Sequence, residues 1–311
     1  MSGKEEHVIR TEKLTKYYGK ARGIIDVDLS VERGEVFGFL GPNGAGKSTA
    51  IRTILDYIRP TSGKALVNGM DPQKQGSNVR RSVGYLPSDF GTYHDMTARD
   101  YLHTLLSMMD HKGKDRIEDL SERFQLDLKR RIKDFSRGNR QKVGMVSAFM
   151  HYPKLAILDE PTTGLDPLMQ QEFYGLVMEE KKAGRTVFLS SHILTEVEAI
   201  CDRVAIIKEG RIIVTESMSA FKSKTGKIMK IKFGSRVDPS IFSGLPGVTH
   251  VKAKDKDVIV MTVSSDIDSV VKELSKHRVL DLTYDEVALE DMFLRYYGKE
   301  QVAGRKGGGS L

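Results

Sequence analysis

The stretch GPNGAGKST, residues 41–49, constrains this chain more than any other segment. It follows the apolar run EVFGFL, which has the composition of a buried parallel strand, and it leads into a segment predicted to be helical through about Ile58. A glycine-rich loop between a strand and a helix turns its backbone N–H groups toward phosphate oxygens. The sequence therefore predicts a nucleoside triphosphate site at this loop.

The members of this loop have separate predicted roles. Lys47 is expected to reach the β- and γ-phosphates, and the Ser48 hydroxyl is expected to bind Mg²⁺. The preceding backbone is expected to curl around the phosphates at Gly41, Pro42, Asn43, Gly44, Ala45 and Gly46. A glycine-rich turn that matches the pattern by chance is the alternative, and the flanking strand and helix disfavour it.

Two further strand ends carry titratable side chains. LAILDE ends on Asp159, predicted to reach the metal through water, and on Glu160, which points the other way in a strand and can orient the attacking water as general base. The alternative is a pair of solvated acids. His192 follows the strand TVFLSS, which is expected beside LAILDE, so its imidazole is predicted to lie on the γ-phosphate side. A helix cap or a core histidine is the alternative there.

A second glycine-containing helix start occurs at DFSRGNR, residues 134–140. Free backbone N–H groups and the positive end of the helix dipole make such a turn an anion site. It lacks the lysine and the preceding strand of the first loop, so the sequence predicts a second anion site of a different kind.

Asp166 and Tyr18 each allow two interpretations. Asp166 stands directly before Pro167 and is predicted to cap a helix, but a capping residue can also face a partner. Tyr18, next to Gly19, is predicted to offer a flat ring to an adenine base, whereas a single aromatic is more often part of a core.

Composition excludes several classes of protein. The chain has 311 residues, a net charge of +7 and one cysteine, Cys201. A disulfide framework is excluded, no run approaches the roughly 18 apolar residues of a membrane helix, and residues 1–10 lack the pattern of a signal peptide. The basic balance permits anionic partners and selects none of them.

The order of predicted elements indicates two domains. Residues 1–217 follow an α/β pattern that is interrupted by a charged helical segment at about 90–145. The Ser-, Lys- and Gly-rich stretch 218–226 is predicted to be a linker. Residues 227–299 follow a β-α-β-β-α-β order typical of a small ferredoxin-like sandwich, ending in a helix at LEDMFLRYY, and residues 300–311 are predicted to be a disordered tail.

GPNGAGKST, the Ser-x-Gly segment, LAILDEPTTGLD and SSH together resemble the nucleotide-binding subunits of ATP-binding cassette (ABC) transporters. The resemblance covers about residues 7–217. It implies a P-loop NTPase core with an antiparallel β layer and an inserted helical subdomain. It also implies Mg²⁺-dependent ATP hydrolysis by a dimer of two copies that enclose two ATP molecules.

The resemblance further implies roles for single residues. Tyr18 would stack on adenine, Lys47, Ser48 and Thr49 would hold the phosphates and Mg²⁺, and Glu160 would be the catalytic carboxylate. His192 would be the switch histidine on the γ-phosphate, and Asp166 would lie in the D-loop across the dimer interface. The signature residues would bind ATP of the other subunit, and they are Ser136, Arg137, Gly138 and Asn139.

Two segments, GLDPLMQQEFY and LEDMFLRYYG, resemble the drug- and antibiotic-exporter branch of the family. In that branch the membrane domain is a separate polypeptide. The resemblance therefore implies a polytopic membrane subunit as partner and a location at the cytoplasmic face of the cell membrane. The C-terminal domain is predicted to be a regulatory or dimer-stabilising accessory.

The chain departs from the family pattern at two places. The Q-loop position after GYLP is Ser88 instead of Gln or Glu, and a serine is too short to replace Gln at the metal and water. The common Ser-Gly-Gly-Gln signature is Ser136-Arg137-Gly138-Asn139, which keeps the serine and the second glycine and adds a charge.

Other classes of function are disfavoured. A soluble ABC-type ATPase that acts on nucleic acid or ribosomes usually has two cassettes, a coiled coil or zinc-binding cysteines, and this chain has one cassette, no sustained heptads and one cysteine. A nucleic-acid partner is therefore not expected. A P-loop GTPase would need an Asn-Lys-x-Asp motif, which is absent. An inactive binding protein is disfavoured by the presence of Lys47, Asp159, Glu160 and His192.

Overall fold

The computed structural model describes residues 7–89, 95–109, 113–223, 227–264 and 266–286. The described chain divides into two compact units, one that ends at Ser217 and one that begins at Met218. Each unit is described separately below.

The main sheet of the first unit has six strands in the order β5-β6-β7-β3-β8-β9. Its first five strands are parallel, and β9 pairs antiparallel with β8. The strands are β3 (Val36–Leu40), β5 (Val83–Leu86), β6 (Leu155–Asp159), β7 (Thr186–Ser191), β8 (Arg203–Lys208) and β9 (Arg211–Ser217). The strands β3, β6 and β7 are buried throughout, as their unbroken apolar runs predict.

A second, antiparallel sheet has the order β2-β1-β4, with β1 (His7–Tyr18), β2 (Ala21–Glu32) and β4 (Ser62–Val67). The sequence analysis did not predict β1, which ends with Tyr17 and Tyr18. The pairing of β1 with β2 shifts register between Thr11 and Leu14 and again beyond it. Such bulges break the alternation of apolar and polar residues by which a strand is recognised.

Seven α-helices in the described part of the first unit connect these strands. They are α1 (Lys47–Ile54), α2 (Pro72–Ser82), α3 (Ala98–Ser107), α4 (Lys114–Arg123), α5 (Arg137–Phe149), α6 (Pro167–Lys182) and α7 (Leu194–Ile200). The helices α3 and α4 lie in the predicted helical segment, and α5 packs against both of them and against β5. The prediction that α1 runs through about Ile58 was too long, and α2 was not predicted because it buries only Pro72 and Val79.

The second unit contains a four-stranded antiparallel sheet in the order β11-β12-β10-β13. Its elements are α8 (Met218–Ser223), β10 (Lys227–Phe233), α9 (Ser240–Ser243), β11 (Val248–Ala253), β12 (Val258–Val263), α10 (Ile267–Leu274) and β13 (Val279–Glu286). The predicted order of strands and helices from β10 to β13 is present.

Part of the stretch predicted to be a linker, residues 218–226, is helical. It forms α8, and Met218 and Phe221 are buried. Met218 and Phe221 are three positions apart, as on one face of a helix, and this spacing is not apparent in a stretch otherwise rich in Ser, Lys and Gly. The predicted helix at LEDMFLRYY and the predicted tail lie outside the described residues.

No helix within the described ranges is long and apolar enough to cross a membrane.

Candidate functional site

Three parallel strands end in register beside the phosphate loop. Leu40 of β3 pairs with Ser191 of β7, and Asp159 of β6 pairs with Ser190 of β7. The residues that follow these strand ends are therefore brought to one edge of the sheet, where open α/β sheets bind their ligands.

The backbone of the phosphate loop requires its glycines. Gly44 and Gly46 have φ of +79° and +109°, in the region that favours glycine. A Cβ on Gly46 would also lie 2.8 Å from the Gly23 carbonyl oxygen. The Gly41 N–H donates to the Ser191 carbonyl at 3.1 Å, so the loop is tied to the end of β7 directly before His192.

A cavity of about 460 Å³ lies against this loop. Its lining includes ten of the predicted site residues, namely Asn43, Gly44, Gly46, Lys47, Ser48, Thr49, Ser88, Arg137, Glu160 and His192. Four further residues line it that were not predicted as site residues, namely Arg22, Gly23, Asp89 and Thr163. Arg22 and Gly23 lie at the start of β2 and carry no motif of their own, so only the fold reveals them.

Lys47, Glu160 and His192 form one continuous polar cluster in the cavity. Lys47 Nζ donates to the Gly41 carbonyl at 2.6 Å and lies 3.0 Å from Glu160 Oε1. The other oxygen of that carboxylate, Glu160 Oε2, is 2.6 Å from His192 Nδ1. Because a carboxylate only accepts hydrogen bonds, this contact requires the imidazole proton on Nδ1. Lys47 is buried and His192 is exposed, so the cluster leads from the core to the cavity.

Glu160 is held by an unusual backbone conformation. The strand β6 ends at Asp159, and Glu160 has a φ of +54°, which costs an ordinary residue roughly 1–2 kcal/mol. Its N–H donates to the Ser190 carbonyl at 3.2 Å and to Ser190 Oγ at 3.1 Å, and Gln141 Nε2 donates to its carbonyl at 3.2 Å. These contacts offset the strain and fix the carboxylate toward Lys47. Neither Ser190, which lies in the SSH segment, nor Gln141 was predicted to have a role in the site.

Asp159 lies behind the cavity wall and is fully buried. Its Oδ1 accepts a 2.6 Å hydrogen bond from Ser190 Oγ. Its Oδ2 has no hydrogen-bond partner among the described residues, and a buried carboxylate oxygen without a partner is costly. The donor set of this oxygen and the Ser48 hydroxyl fits a hard divalent cation such as Mg²⁺.

Glu196, in the first turn of α7, is a second buried acid near the cluster. Its Oε2 accepts a hydrogen bond from Ser191 Oγ at 2.5 Å. Burial raises the pKa of Glu196 to about 7, against the lowering effect of the neighbouring Ser191 and Thr162 side chains. Glu196 is thus tied to Ser191, the residue directly before His192.

Other predicted residues lie outside the cavity lining. The side chain of Asp166 accepts from the Met169 N–H at 3.0 Å, so it caps α6 as predicted. Ser136 caps α5, where its hydroxyl accepts from the Asn139 N–H at 3.3 Å, and its side chain is exposed. The exposed Tyr18 hydroxyl is 3.5 Å from Thr49 Oγ1, at the edge of the site.

The strand–loop–helix unit, the buried acid and the adjoining cavity define a P-loop nucleoside triphosphatase. The family model described as "ABC transporter" matches residues 24–163. The chain is 32% identical to the bacitracin transport ATP-binding protein BcrA of Bacillus licheniformis over 299 residues, which cover 94% of this chain and 97% of that protein. The chain belongs to the ABC transporter family and is an ABC ATPase.

Two further comparisons agree with this assignment. The linearmycin resistance ATP-binding protein LnrL of Bacillus subtilis is 30% identical over 311 residues, covering 94% of this chain and 99% of that protein. A solved structure of the ATP-binding subunit of an ABC transporter has a TM-score of 0.66 and 31% identity, and covers 70% of this chain and 92% of that one. The predicted resemblance is therefore confirmed.

Proposed function

We propose that this chain hydrolyses ATP to drive an exporter whose membrane domain is a separate subunit. The observation that carries the proposal is the Lys47–Glu160–His192 cluster, which faces the cavity beside the phosphate loop. The cluster combines a cation for phosphate, a carboxylate that can accept a proton and an imidazole that orients this carboxylate.

The ion pair between Lys47 and Glu160 gives ATP a direct way to activate the base. The terminal phosphates of ATP compete with Glu160 for the Lys47 ammonium group, because both are anions within its reach. Once the lysine binds phosphate, Glu160 keeps only its hydrogen bond from His192 and can orient the attacking water. His192, exposed at the cavity, then faces the γ-phosphate side.

Mg²⁺ is the proposed metal, with Ser48 and Asp159 as the residues that would hold it. The buried Asp159 Oδ2 supports this assignment, because no described residue forms a hydrogen bond with it. When bound, the metal neutralises charge on the β- and γ-phosphates.

A second copy of the chain is the proposed partner across the nucleotide. Ser136 is exposed at the start of α5 and is not part of the lining of its own cavity. The next turn is tied to the segment after Glu160, because Gly138 packs so closely on Gly164 that a Cβ on Gly138 would lie 2.5 Å from the Gly164 carbonyl oxygen. This exposed helix start, with Ser136, Gly138 and Asn139, is therefore free to bind ATP held by the other copy. Asp166 is exposed two residues beyond Gly164, and we propose that it lies in the same interface. Tyr18, whose hydroxyl lies beside Thr49, would receive the adenine ring.

The names of two relatives favour an antibiotic or a similar compound as cargo. BcrA is named for bacitracin transport and LnrL for linearmycin resistance, and both match nearly the whole chain. On this proposal the chain acts at the cytoplasmic face of the cell membrane, bound to a polytopic subunit that contacts the cargo.

The region beyond the cassette is proposed to be an accessory domain of residues 227–299 with a ferredoxin-like sandwich. The antiparallel strand order β11-β12-β10-β13 supports this arrangement, because the first and third strands of the β-α-β-β-α-β order are neighbours at its centre.

The variant Glu160→Gln tests the proposed chemistry. It keeps the shape of the side chain and removes the charge that accepts a proton, so we expect steady-state ATP hydrolysis to fall by at least about 100-fold while ATP binding remains. Glu122→Gln, an exposed change on α4, serves as matched control and should hydrolyse ATP at the parental rate. Hydrolysis that survives in Glu160→Gln would contradict the assigned base.

Affinity purification of the tagged full chain from membranes tests the proposed partner. A polytopic membrane protein should copurify in stoichiometric amount. Copurification of ribosomes or nucleic acid instead would support the alternative, an ABC-type ATPase that acts on those partners.

A further inference from the structure

Arg137 occupies the first position of α5 and stands where the family commonly has glycine. Its side chain lies along Gly164: a Cβ built on that glycine would be 3.6 Å from Arg137 Cγ and 3.8 Å from its Cδ. Gly164 has a φ of +82°, so glycine is favoured there and its bare surface supports the stem of the arginine. The direction of Arg137 is thus set by a contact within its own subunit.

The same side chain lines the cavity of its own subunit, together with Lys47, Glu160 and His192. Three guanidinium or ammonium groups are in this lining, and two of them have acidic partners. Arg22 Nη1 is 3.2 Å from Glu209 Oε2, and Lys47 Nζ is 3.0 Å from Glu160 Oε1. Within the part of the chain that the structure describes, Arg137 forms neither an ion pair nor a side-chain hydrogen bond, so its charge is available to an anion in the cavity.

We propose that Arg137 binds terminal phosphate oxygens of the nucleotide held by its own subunit. The contact rests on the proposed function, in which this cavity holds ATP. It differs from the role of Ser136 and Gly138, which serve the nucleotide of the second copy. Glycine at this position could supply only a backbone N–H, whereas the guanidinium group is charged at any working pH and offers a planar fork that suits two phosphate oxygens.

The position of Arg137 relative to the catalytic cluster indicates which phosphate it binds. Its stem rests on Gly164, four residues beyond Glu160, and the intervening Thr163 lines the cavity with both of them. Because Glu160 acts at the γ-phosphate, Arg137 approaches that end of the nucleotide and not the base. ATP is therefore distinguished from ADP by this residue before a second copy arrives.

The contact also has a conformational consequence. Arg137 is the first residue of α5, which packs against α3 and α4. A bond from its guanidinium group to the γ-phosphate joins this helical region to the nucleotide, and hydrolysis releases it. The orientation of the signature helix then depends on the nucleotide of the same subunit, a coupling that can operate in the monomer.

The test measures nucleotide affinity of the full chain at concentrations at which size-exclusion chromatography with light scattering shows a monomer. Arg137→Gln removes the charge and keeps most of the length. We expect ATP to bind about tenfold more weakly and ADP to bind within about twofold of the parent, as for loss of one charge-assisted contact. Arg137→Lys should give an intermediate loss. The matched control Arg131→Gln removes the same charge from an exposed residue outside the cavity lining and should change neither affinity.

Each other outcome overturns a particular statement. Unchanged monomer affinity of Arg137→Gln with loss of ATP-driven dimerisation would assign Arg137 to the second copy alone. An equal loss for ATP and ADP would contradict the γ-phosphate assignment. Failure of the unaltered chain to bind ATP, or full binding by Lys47→Ala, would refute the proposed function itself. Equal thermal midpoints of the variants serve to exclude misfolding.

Discussion

Glu196 shows how one buried side chain can make the stability of this protein depend on pH. Its carboxyl group is almost fully buried, and it accepts a hydrogen bond from Ser191. Glu160 disfavours its charge and His192 favours it, but burial dominates and holds its pKa at about 7. The ordinary value for this group is 4.5.

Glu196→Gln should flatten the dependence of the unfolding free energy on pH. Between pH 4.5 and 7 the folded protein binds a proton at Glu196 that the unfolded chain has lost, so stability falls as pH rises through this window. At 1.36 kcal/mol per pKa unit the loss attributable to this residue is about 3 kcal/mol. Urea unfolding at pH 5 and pH 8 measures it, and the parent should lose more stability than the variant. The exposed change Glu122→Gln should leave the parental difference in unfolding free energy between pH 5 and pH 8 intact. If Glu196→Gln shows the same difference as the parent, Glu196 does not have a raised pKa in the folded protein.

Among the helices, α4 and α6 are joined through a buried acid. Glu180 on α6 accepts hydrogen bonds from Arg116 on α4 and from Arg185, and its side chain is 2% exposed. Arg116 Nε also donates to the carbonyl of Phe149, the last residue of α5, at 3.2 Å. The guanidinium groups of Arg116 and Arg185 lie 4.2 and 5.5 Å from the centre of the Tyr152 ring. These contacts fix the helical region to α6.

Glu180→Ala should destabilise the protein by about 3–5 kcal/mol, because two largely buried guanidinium groups lose their carboxylate. The adjacent residue provides a matched control. Glu179 pairs with Arg123 at 2.7 Å, but its side chain is 63% exposed, so Glu179→Ala should cost less than about 1 kcal/mol. Urea unfolding monitored by circular dichroism compares the two. Similar losses for both variants would show that the buried network contributes no more than a surface pair.

The elements that the sequence predicted best are those in which the pattern of apolar residues is uninterrupted. The strands β3, β6 and β7 are unbroken apolar runs, and α6 begins at Pro167, directly after the predicted cap Asp166. The strand β1 was missed because its bulges interrupt the alternation, and α2 because it is nearly all polar. The pattern of apolar and polar residues in one segment indicates only how that segment is buried. The structures of β1 and α2 depend also on neighbours that are distant in sequence.

The candidate site divides in the same way. The phosphate loop, Glu160 and His192 could be predicted because each belongs to a short motif with fixed spacing, and the structure brings all three to one cavity. The roles of Arg22 and Glu196 could not, since they arise from strand pairing and burial and not from a motif. Ser190 lies in the SSH segment, but its contact with Asp159 depends on the pairing of β6 with β7 and could not be predicted either. The direction of Arg137 depends on the bare surface of Gly164, a contact across 27 positions of sequence that no local pattern shows.

At the scale of the whole molecule, the two units have separate hydrophobic cores. The core of the second unit consists of residues from β10 to α10, among them Met229, Ile231, Phe242, Met261 and Val270. A core of the first unit extends from Val8 to Ile207 and shares no residue with it. No described residue of the second unit lines the cavity beside the phosphate loop. Each unit thus has the apolar interior that independent folding requires.

A chain that ends at Ser217 should therefore fold and bind ATP within about twofold of the full chain, because every strand that supports the phosphate loop is present in it. A shorter chain that ends at Ile200 provides the contrast. It lacks β8, which pairs with β3, and Gly210, whose N–H donates to the Ala45 carbonyl at 2.8 Å. Removal of both supports should abolish binding, and fluorescence titration with an ATP analogue measures all three chains. If the chain that ends at Ser217 has the circular dichroism spectrum of a folded α/β protein but does not bind ATP, the second unit participates in the nucleotide site itself. The division of the molecule into an ATPase and an accessory domain would then be wrong.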